Sequence, residues 1–422
     1  MIKYMKNILS KPFYKNFMVL LSGNAISQVI PFILAPFVAR LYSPEEFAVQ
    51  TNFLVLAGLF AVIATGRYEL AIILPKDEKK GAALFNLSLF ILIAVTLLSF
   101  VLYFFRNQLG VLYKTDKLSD YIIYIPLAII GLSGYNVLYN WLVRHKEFKN
   151  ISLSKISQSL FGNLAYIVFG YLIAGVIGLI IGWLIGQVIS LLVLVFKTYR
   201  YRNGLMKSGT AELKSAAKEY KDFPMINSLH AFTDYFAGQF LLIGIITREY
   251  GLITLGLFSI SYRYLIAPIQ LVAGAVSQVY YRDASEKVNL EQKALPVFYQ
   301  TLKICLLFAV PMAIVILIWG EDLFTIYLGQ QWSNAGKFAQ ILMPALFLNF
   351  LVSPLSTTPL IFKKQKKAFL ITLVGYTICL GSLLISSFLK ISFAYALGIY
   401  TCCLAAYYIF LLFWYRSLIL KN

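Results

Sequence analysis

The sequence predicts an all-α integral membrane protein of about 12 transmembrane helices in two six-helix lobes, and three observations carry that prediction. Hydrophobic residues make up 60% of the 422 positions and charged residues 13%, where a soluble domain holds about half apolar and about a quarter charged. Apolar stretches of roughly 20 residues recur along the chain, each long enough to cross a hydrocarbon core about 30 Å thick as a helix. One long polar segment falls near the midpoint. It divides the chain into an N-terminal lobe (1-196), a basic cytoplasmic linker (197-222) and a C-terminal lobe (223-422).

After a basic start (Lys3, Lys6, Lys11, Lys15), the first span runs over 17-39. It is too long for the apolar core of a signal peptide and is followed by many more, so it is read as retained. Spans are expected near 45-74, 82-105, 120-143, 151-173 and 176-196 before the linker. After it they are expected near 223-246, 251-281, 296-319, 336-361, 368-389 and 393-415. In the second span the helix is expected to continue past Gly66 through Arg67 and Glu69 to Pro75. Residues at i and i+2 point apart on a helix, so Arg67 and Glu69 would each need a separate partner. In the sixth, Gly178, Gly182 and Gly186 are spaced for close helix packing. The linker carries Lys197, Arg200, Arg202, Lys207, Lys214, Lys218 and Lys221 against Glu212, Glu219 and Asp222, so it should lie in water or along anionic headgroups.

The outside loops hold only Arg40, Arg106, Lys114, Lys117, Arg248, Lys337 and Lys390, while the inside segments are rich in Lys and Arg. The positive-inside rule then places both termini in the cytoplasm. The stretches beginning at Asn16 and Asp222 share a layout: a polar-speckled span, an Arg (Arg40, Arg248), a short turn and a second span. An even number of spans per half demands parallel repeats, and a central cleft between lobes follows.

Several function classes are excluded. The formal charge of +19 sits in short loops between spans, which argues for membrane orientation rather than nucleic acid. A GxxxxGK[ST] phosphate loop is absent, so no built-in ATPase is expected. His145 and His230 stand alone, and Cys305, Cys379, Cys402 and Cys403 lie in apolar segments without ligand spacing, so neither metal nor other cofactor is expected. A membrane polymerase would need sizeable external loops, and the longest here is about 106-119.

Ionisable residues inside spans are costly in lipid and are functional candidates by default. Asp234 is the carboxylate deepest in any span; Asn227, His230, Asp234 and Gly238 fall on one helix face, and His230 and Asp234 are one turn apart. Either they form a polar pair that packs helices, or they couple an ion. Arg263 lies deep in the eighth span beside Tyr262 and Tyr264, and its planar fork suits a carboxylate or phosphate oxygens. Lys155 and Lys303 lie nearer the cytoplasmic face, within reach of headgroups. Ser152, Lys155, Ser159, Gly162 and Tyr166 nevertheless make a polar face that should turn to protein or water. Asn24 and Gln28, and Asn136 and Asn140, supply further polar faces.

At these residues the chain resembles a known family. GRYELAIILPKDEKK at 66-80, ARLYSPEEFA at the end of the first span, and EYGLITLGLFSISYRYLIAPIQLVAGAVSQVYYRDASE at 249-286 resemble the Wzx-type polysaccharide flippases of the multidrug/oligosaccharidyl-lipid/polysaccharide exporter superfamily. The resemblance implies a MATE-like V-shaped pair of six-helix bundles in the bacterial cytoplasmic membrane. It implies translocation of undecaprenyl-diphosphate-linked oligosaccharides by alternating access, surrounded by membrane lipids and handing product to a polysaccharide polymerase and a chain-length regulator. The family's basic cavity maps here onto Arg263, Arg67, Lys155 and Lys303, with Asn227 and Tyr262 beside it; proton-linked exchange would fall on Asp234 and His230. A drug exporter of the same superfamily is the alternative, with Glu69 as its first-lobe carboxylate, and a membrane polymerase is a third reading.

Overall fold

The computed structural model of the protein describes residues 12–113, 115–173, 175–201 and 209–420. Lys3, Lys6 and Lys11 of the basic start, Lys114, and Arg202 and Lys207 of the linker lie outside the described residues. Among the described residues the regular elements are all helical, and 10 helices are long and apolar enough to cross a membrane. The expected spans near 45-74 and 151-173 form helices but fall short of that mark. Their composition explains it, because both bury polar residues inside the protein, Gln50 and Asn52 in one and Ser152 and Ser154 in the other.

Contacts group the chain into two compact units, Met1–Gly244 and Ile245–Asn422. The main helices of the first are α1 (Pro12–Leu41), α2 (Pro44–Ala61), α3 (Glu78–Ser99), α4 (Tyr135–Arg144), α5 (Phe148–Leu172), α6 (Val176–Thr198), α7 (Thr210–Glu219) and α8 (Ser228–Tyr235). Those of the second are α9 (Leu252–Asn289), α10 (Leu295–Leu328), α11 (Ser333–Val352), α12 (Gln365–Phe388) and α13 (Phe393–Leu420). The seventh span, assigned from the sequence to the C-terminal lobe, groups up to Gly244 with the first unit. One reason is Tyr235, whose hydroxyl occupies the space a side chain on Gly58 would need.

Within the first unit, α5 is held between α1 and α6. The Ser152 and Ser159 hydroxyls donate to the carbonyls of Val19 (2.9 Å) and Ser27 (2.6 Å) on α1. On the other side the glycine steps let α6 close in: a Cβ on Gly186 would lie 2.8 Å from the Gln158 carbonyl oxygen, and one on Gly182 2.5 Å from the Tyr166 ring.

The second span is where the expectation needs correction. α2 starts on a capping box, with Pro44 at its first turn, Ser43 N–H donating to Glu46 Oε2 (2.6 Å) and Glu46 N–H to Ser43 Oγ (3.3 Å). It ends at Ala61. Gly66 and Arg67 both take the left-handed conformation, each at φ 58°, and Tyr68–Ile73 is a separate 3-10 helix. Two successive left-handed residues cannot continue a right-handed helix, so the helix is interrupted there. Arg144 of α4 fixes the segment that follows by donating to the carbonyls of Ile72 (2.9 Å), Pro75 (2.6 Å) and Asp77 (3.1 Å).

The linker is not free in solvent throughout. α7 rests on this segment: Ala216 is buried, Lys80 Nζ pairs with Glu219 Oε2 at 2.7 Å, and the Tyr68 hydroxyl donates to the Ala217 carbonyl at 3.2 Å. Tyr68, Phe85, Trp141 and Ala216 share one apolar cluster.

In the second unit α10 and α11 meet through glycine, since a Cβ on Gly336 would lie 2.5 Å from the Glu321 backbone. The Ser261 hydroxyl joins α9 to the Ala335 carbonyl (2.5 Å).

Candidate functional site

Lys155 is carried on the buried-side face of α5 that the serines fasten to α1. Its Nζ donates to Asn24 Oδ1 at 2.8 Å and lies 5.6 Å from the Tyr139 ring centre. The side-chain nitrogen is thus turned inward to a neutral amide and a ring rather than out to headgroups. It borders a cavity of about 310 Å³ lined also by Ser27, Tyr135, Gln158, Asn163 and Trp183.

A second cavity, of about 320 Å³, is lined by Gly58, Arg67, Glu69, Asn136, Trp183 and Tyr235. Trp183 borders both. The left-handed turn brings Arg67 Nη1 to 3.7 Å from Glu69 Oε1, which corrects the expectation of separate partners: the geometry that parts i and i+2 on a helix does not exist here. Glu69 is 2% exposed. Thr65 donates its hydroxyl to Glu69 Oε2, and the buried Arg67 Nε has no protein partner. Among the described residues Glu69 is the buried carboxylate, whereas Asp234, expected to lie deepest in a span, is exposed.

Asn227, His230 and Asp234 are exposed, with the latter two one turn apart on α8. π-helical turns flank them at Phe223–Asn227 and Phe236–Leu241. Such turns insert an extra residue and shift the phase of the face, so the stripe expected to reach Gly238 is broken after Asp234. Phe232, Phe236 and Phe240 stack in sequence, with ring centres 5.8 and 5.3 Å apart.

In the second unit, Arg263 is exposed on α9. Tyr262 stacks on Phe258 at 6.0 Å, and Tyr264 meets Phe324 edge-on. Lys303 is exposed on α10, two residues from each of the buried Thr301 and Cys305 and therefore on the face of α10 away from them. Sequence reasoning missed Asn349, whose amide donates to the Tyr408 hydroxyl at 2.9 Å, and the carbonyl-binding role of Arg144. No local pattern marks either, because both roles depend on carbonyls or hydroxyls far along the chain. Among the described residues no group of three or more His, Cys, Asp and Glu could hold a metal ion.

Comparison with known proteins adds three findings. Residues 37–337 match the family model described as "Polysaccharide biosynthesis protein". A curated relative, the succinoglycan biosynthesis transport protein ExoT of Rhizobium meliloti (strain 1021), is 24% identical over 310 residues, which are 72% of this chain and 60% of the relative, so the match spans less than two thirds of that protein. Among solved structures, an inward-facing multidrug resistance MATE family transporter of the MOP superfamily aligns over 96% of this chain and 98% of its own, with TM-score 0.74 and 18% identity. The lipid II flippase MurJ in an inward closed conformation aligns over 96% and 89%, with TM-score 0.70 and 16% identity. At such identities the likeness establishes the fold alone, the one shared with these two transporters.

Proposed function

Since residues 37–337 match one family model, the chain belongs to the polysaccharide biosynthesis protein family, and from that premise we propose that it moves lipid-linked oligosaccharide repeat units across the bacterial cytoplasmic membrane. The carrier lipid in this reading is undecaprenyl diphosphate, both termini are cytoplasmic, and the delivered repeat passes to a polymerase and chain-length regulator. The observation that carries the reading is the cation held inside an apolar bundle: Lys155 faces a cavity of about 310 Å³ with only a neutral amide and a ring against its charge. An intramembrane cation without a carboxylate partner is costly unless it meets an anion, and a diphosphate supplies one.

Arg263, Tyr262 and Lys303 supply the diphosphate contacts of the second lobe in this proposal. Arg67 is a weaker anion ligand than the sequence suggests, because Glu69 offsets its charge at 3.7 Å. Ion coupling falls to His230 and Asp234, with Asn227 beside them. Alternation between two access states needs an element that an ion or substrate biases. The drug-exporter alternative places coupling on Glu69, the buried first-lobe carboxylate.

The test is reconstitution of the full chain in proteoliposomes with a fluorescent polyprenyl-diphosphate oligosaccharide. Protein-dependent transfer of the sugar to a lectin on the opposite side is expected. Absence of transfer together with gradient-driven efflux of a cationic dye would establish the exporter reading instead.

A further inference from the structure

The cavity of about 320 Å³ around Arg67 and Glu69 has a chemistry unlike that of a phosphate site. Its charged pair is neutral overall, and it is incompletely satisfied. Arg67 Nη1 stands 3.7 Å from Glu69 Oε1, beyond ordinary hydrogen-bond length, and the Arg67 side chain is 28% exposed. Its buried Nε has no partner in the protein. A purely structural ion pair at this depth closes to short bonds and fills its space, since an unpaired buried donor costs about 1–3 kcal/mol. Here Thr65 fastens one carboxylate oxygen and leaves the other facing the guanidinium across the longer gap.

Around the pair, the exposed Asn136 side chain offers both a donor and an acceptor, and Trp183 and Tyr235 supply aromatic faces. Gly58 makes room for Tyr235 by lacking a Cβ. Planar groups that donate and accept side by side suit vicinal hydroxyls, each of which also donates and accepts; aromatic rings suit the apolar face of a sugar. The backbone supports this use. Arg67 holds a left-handed conformation at φ 58°, and such strain in a residue other than glycine clusters at ligand clamps.

We propose that this cavity is a binding site for one uncharged sugar ring of the carried oligosaccharide, with Arg67, Glu69 and Asn136 hydrogen-bonding its hydroxyls and Trp183 stacking on its face. The site lies wholly within the first unit and shares Trp183 with the cavity that Lys155 borders. Its volume is at the lower end of the roughly 300–1,000 Å³ of small-molecule sites, which suits a single ring rather than a whole repeat. The inference rests on the transport reading for what the ligand belongs to.

The experiment uses the full chain in nanodiscs with Cys305, Cys379, Cys402 and Cys403 replaced by Ser and Ala61→Cys added on the cavity wall. The rate of Ala61→Cys modification by a small methanethiosulfonate is measured with methyl glucoside, methyl galactoside, methyl glucuronide or inorganic pyrophosphate as the probe. A neutral glycoside is expected to slow labelling about threefold at about twice its dissociation constant, by mass action, and pyrophosphate to leave it unchanged. Asn136→Ala, an exposed position, and Glu69→Gln should each abolish the protection; if Glu69→Gln does not fold, Trp183→Leu replaces it. No protection by either neutral glycoside, stronger protection by pyrophosphate or the glucuronide, or protection that survives Asn136→Ala overturns the proposal. If the same protein still translocates the lipid-linked oligosaccharide while no glycoside protects, this inference fails and the transport reading stands; if the glycosides protect without translocation, the reverse holds.

Discussion

Lys155 Nζ donates to Asn24 Oδ1 at 2.8 Å, which ties the charge of α5 to α1 inside the first unit. The bond sits between two serine bonds on the same face, Ser152 to Val19 and Ser159 to Ser27, so the lysine is positioned by three contacts with one neighbour. Lys155→Ala should lower oligosaccharide translocation in proteoliposomes about tenfold or more, the value of a lost charged hydrogen bond of about 1.5–3 kcal/mol. Lys155→Arg should recover part of it. Asn24→Ala should cost less, because the charge remains.

Arg144 satisfies three carbonyls and approaches Glu78 Oε2 at 3.4 Å, with 10% of its side chain exposed. Arg144→Ala orphans the Ile72 and Pro75 carbonyls, and the loss should be about 2–3 kcal/mol. Thermal unfolding followed by size-exclusion fluorescence should show a lowered midpoint, with Arg144→Lys in between because it lacks the fork.

Gly66 is held at φ 58°, and a Cβ there would lie 3.1 Å from Ile91 and 3.3 Å from Tyr68. Gly66→Ala should therefore destabilise by about 1–2 kcal/mol from the left-handed conformation alone, and by more if Ile91 cannot yield. The same melting measurement reads it.

At the α5–α6 seam, Gly186→Ala puts a methyl 2.8 Å from the Gln158 carbonyl oxygen, and backbone offers no side-chain rotation to relieve the clash. Overpacking of this kind costs about 1–3 kcal/mol. Gly381→Ala, where nothing lies within 4 Å, should leave the midpoint unchanged and serves as the control.

The proposed orientation is checked by thiol labelling in intact cells, in a background without the native cysteines. Ser215→Cys on the exposed side of α7 should react only after the membrane is permeabilised, and Ser392→Cys at the start of α13 should react from outside. The reverse pattern would invert the topology.

The sequence alone determined the helical membrane architecture, because 60% apolar content leaves no soluble alternative and each span must close its own backbone hydrogen bonds in lipid. It also located the glycine seam of α6 and the polar face of α5, since both are periodic along a single helix. Only the tertiary structure decided the turn at Gly66 and Arg67, the pairing of Arg67 with Glu69, and the seat of α7. The segment that follows the left-handed pair is fastened by Arg144, more than sixty residues away in sequence, through the carbonyls of Ile72, Pro75 and Asp77. The grouping of residues 223–244 with the first unit has the same origin: Tyr235 fills the space left by Gly58, and no periodicity within either segment records that meeting.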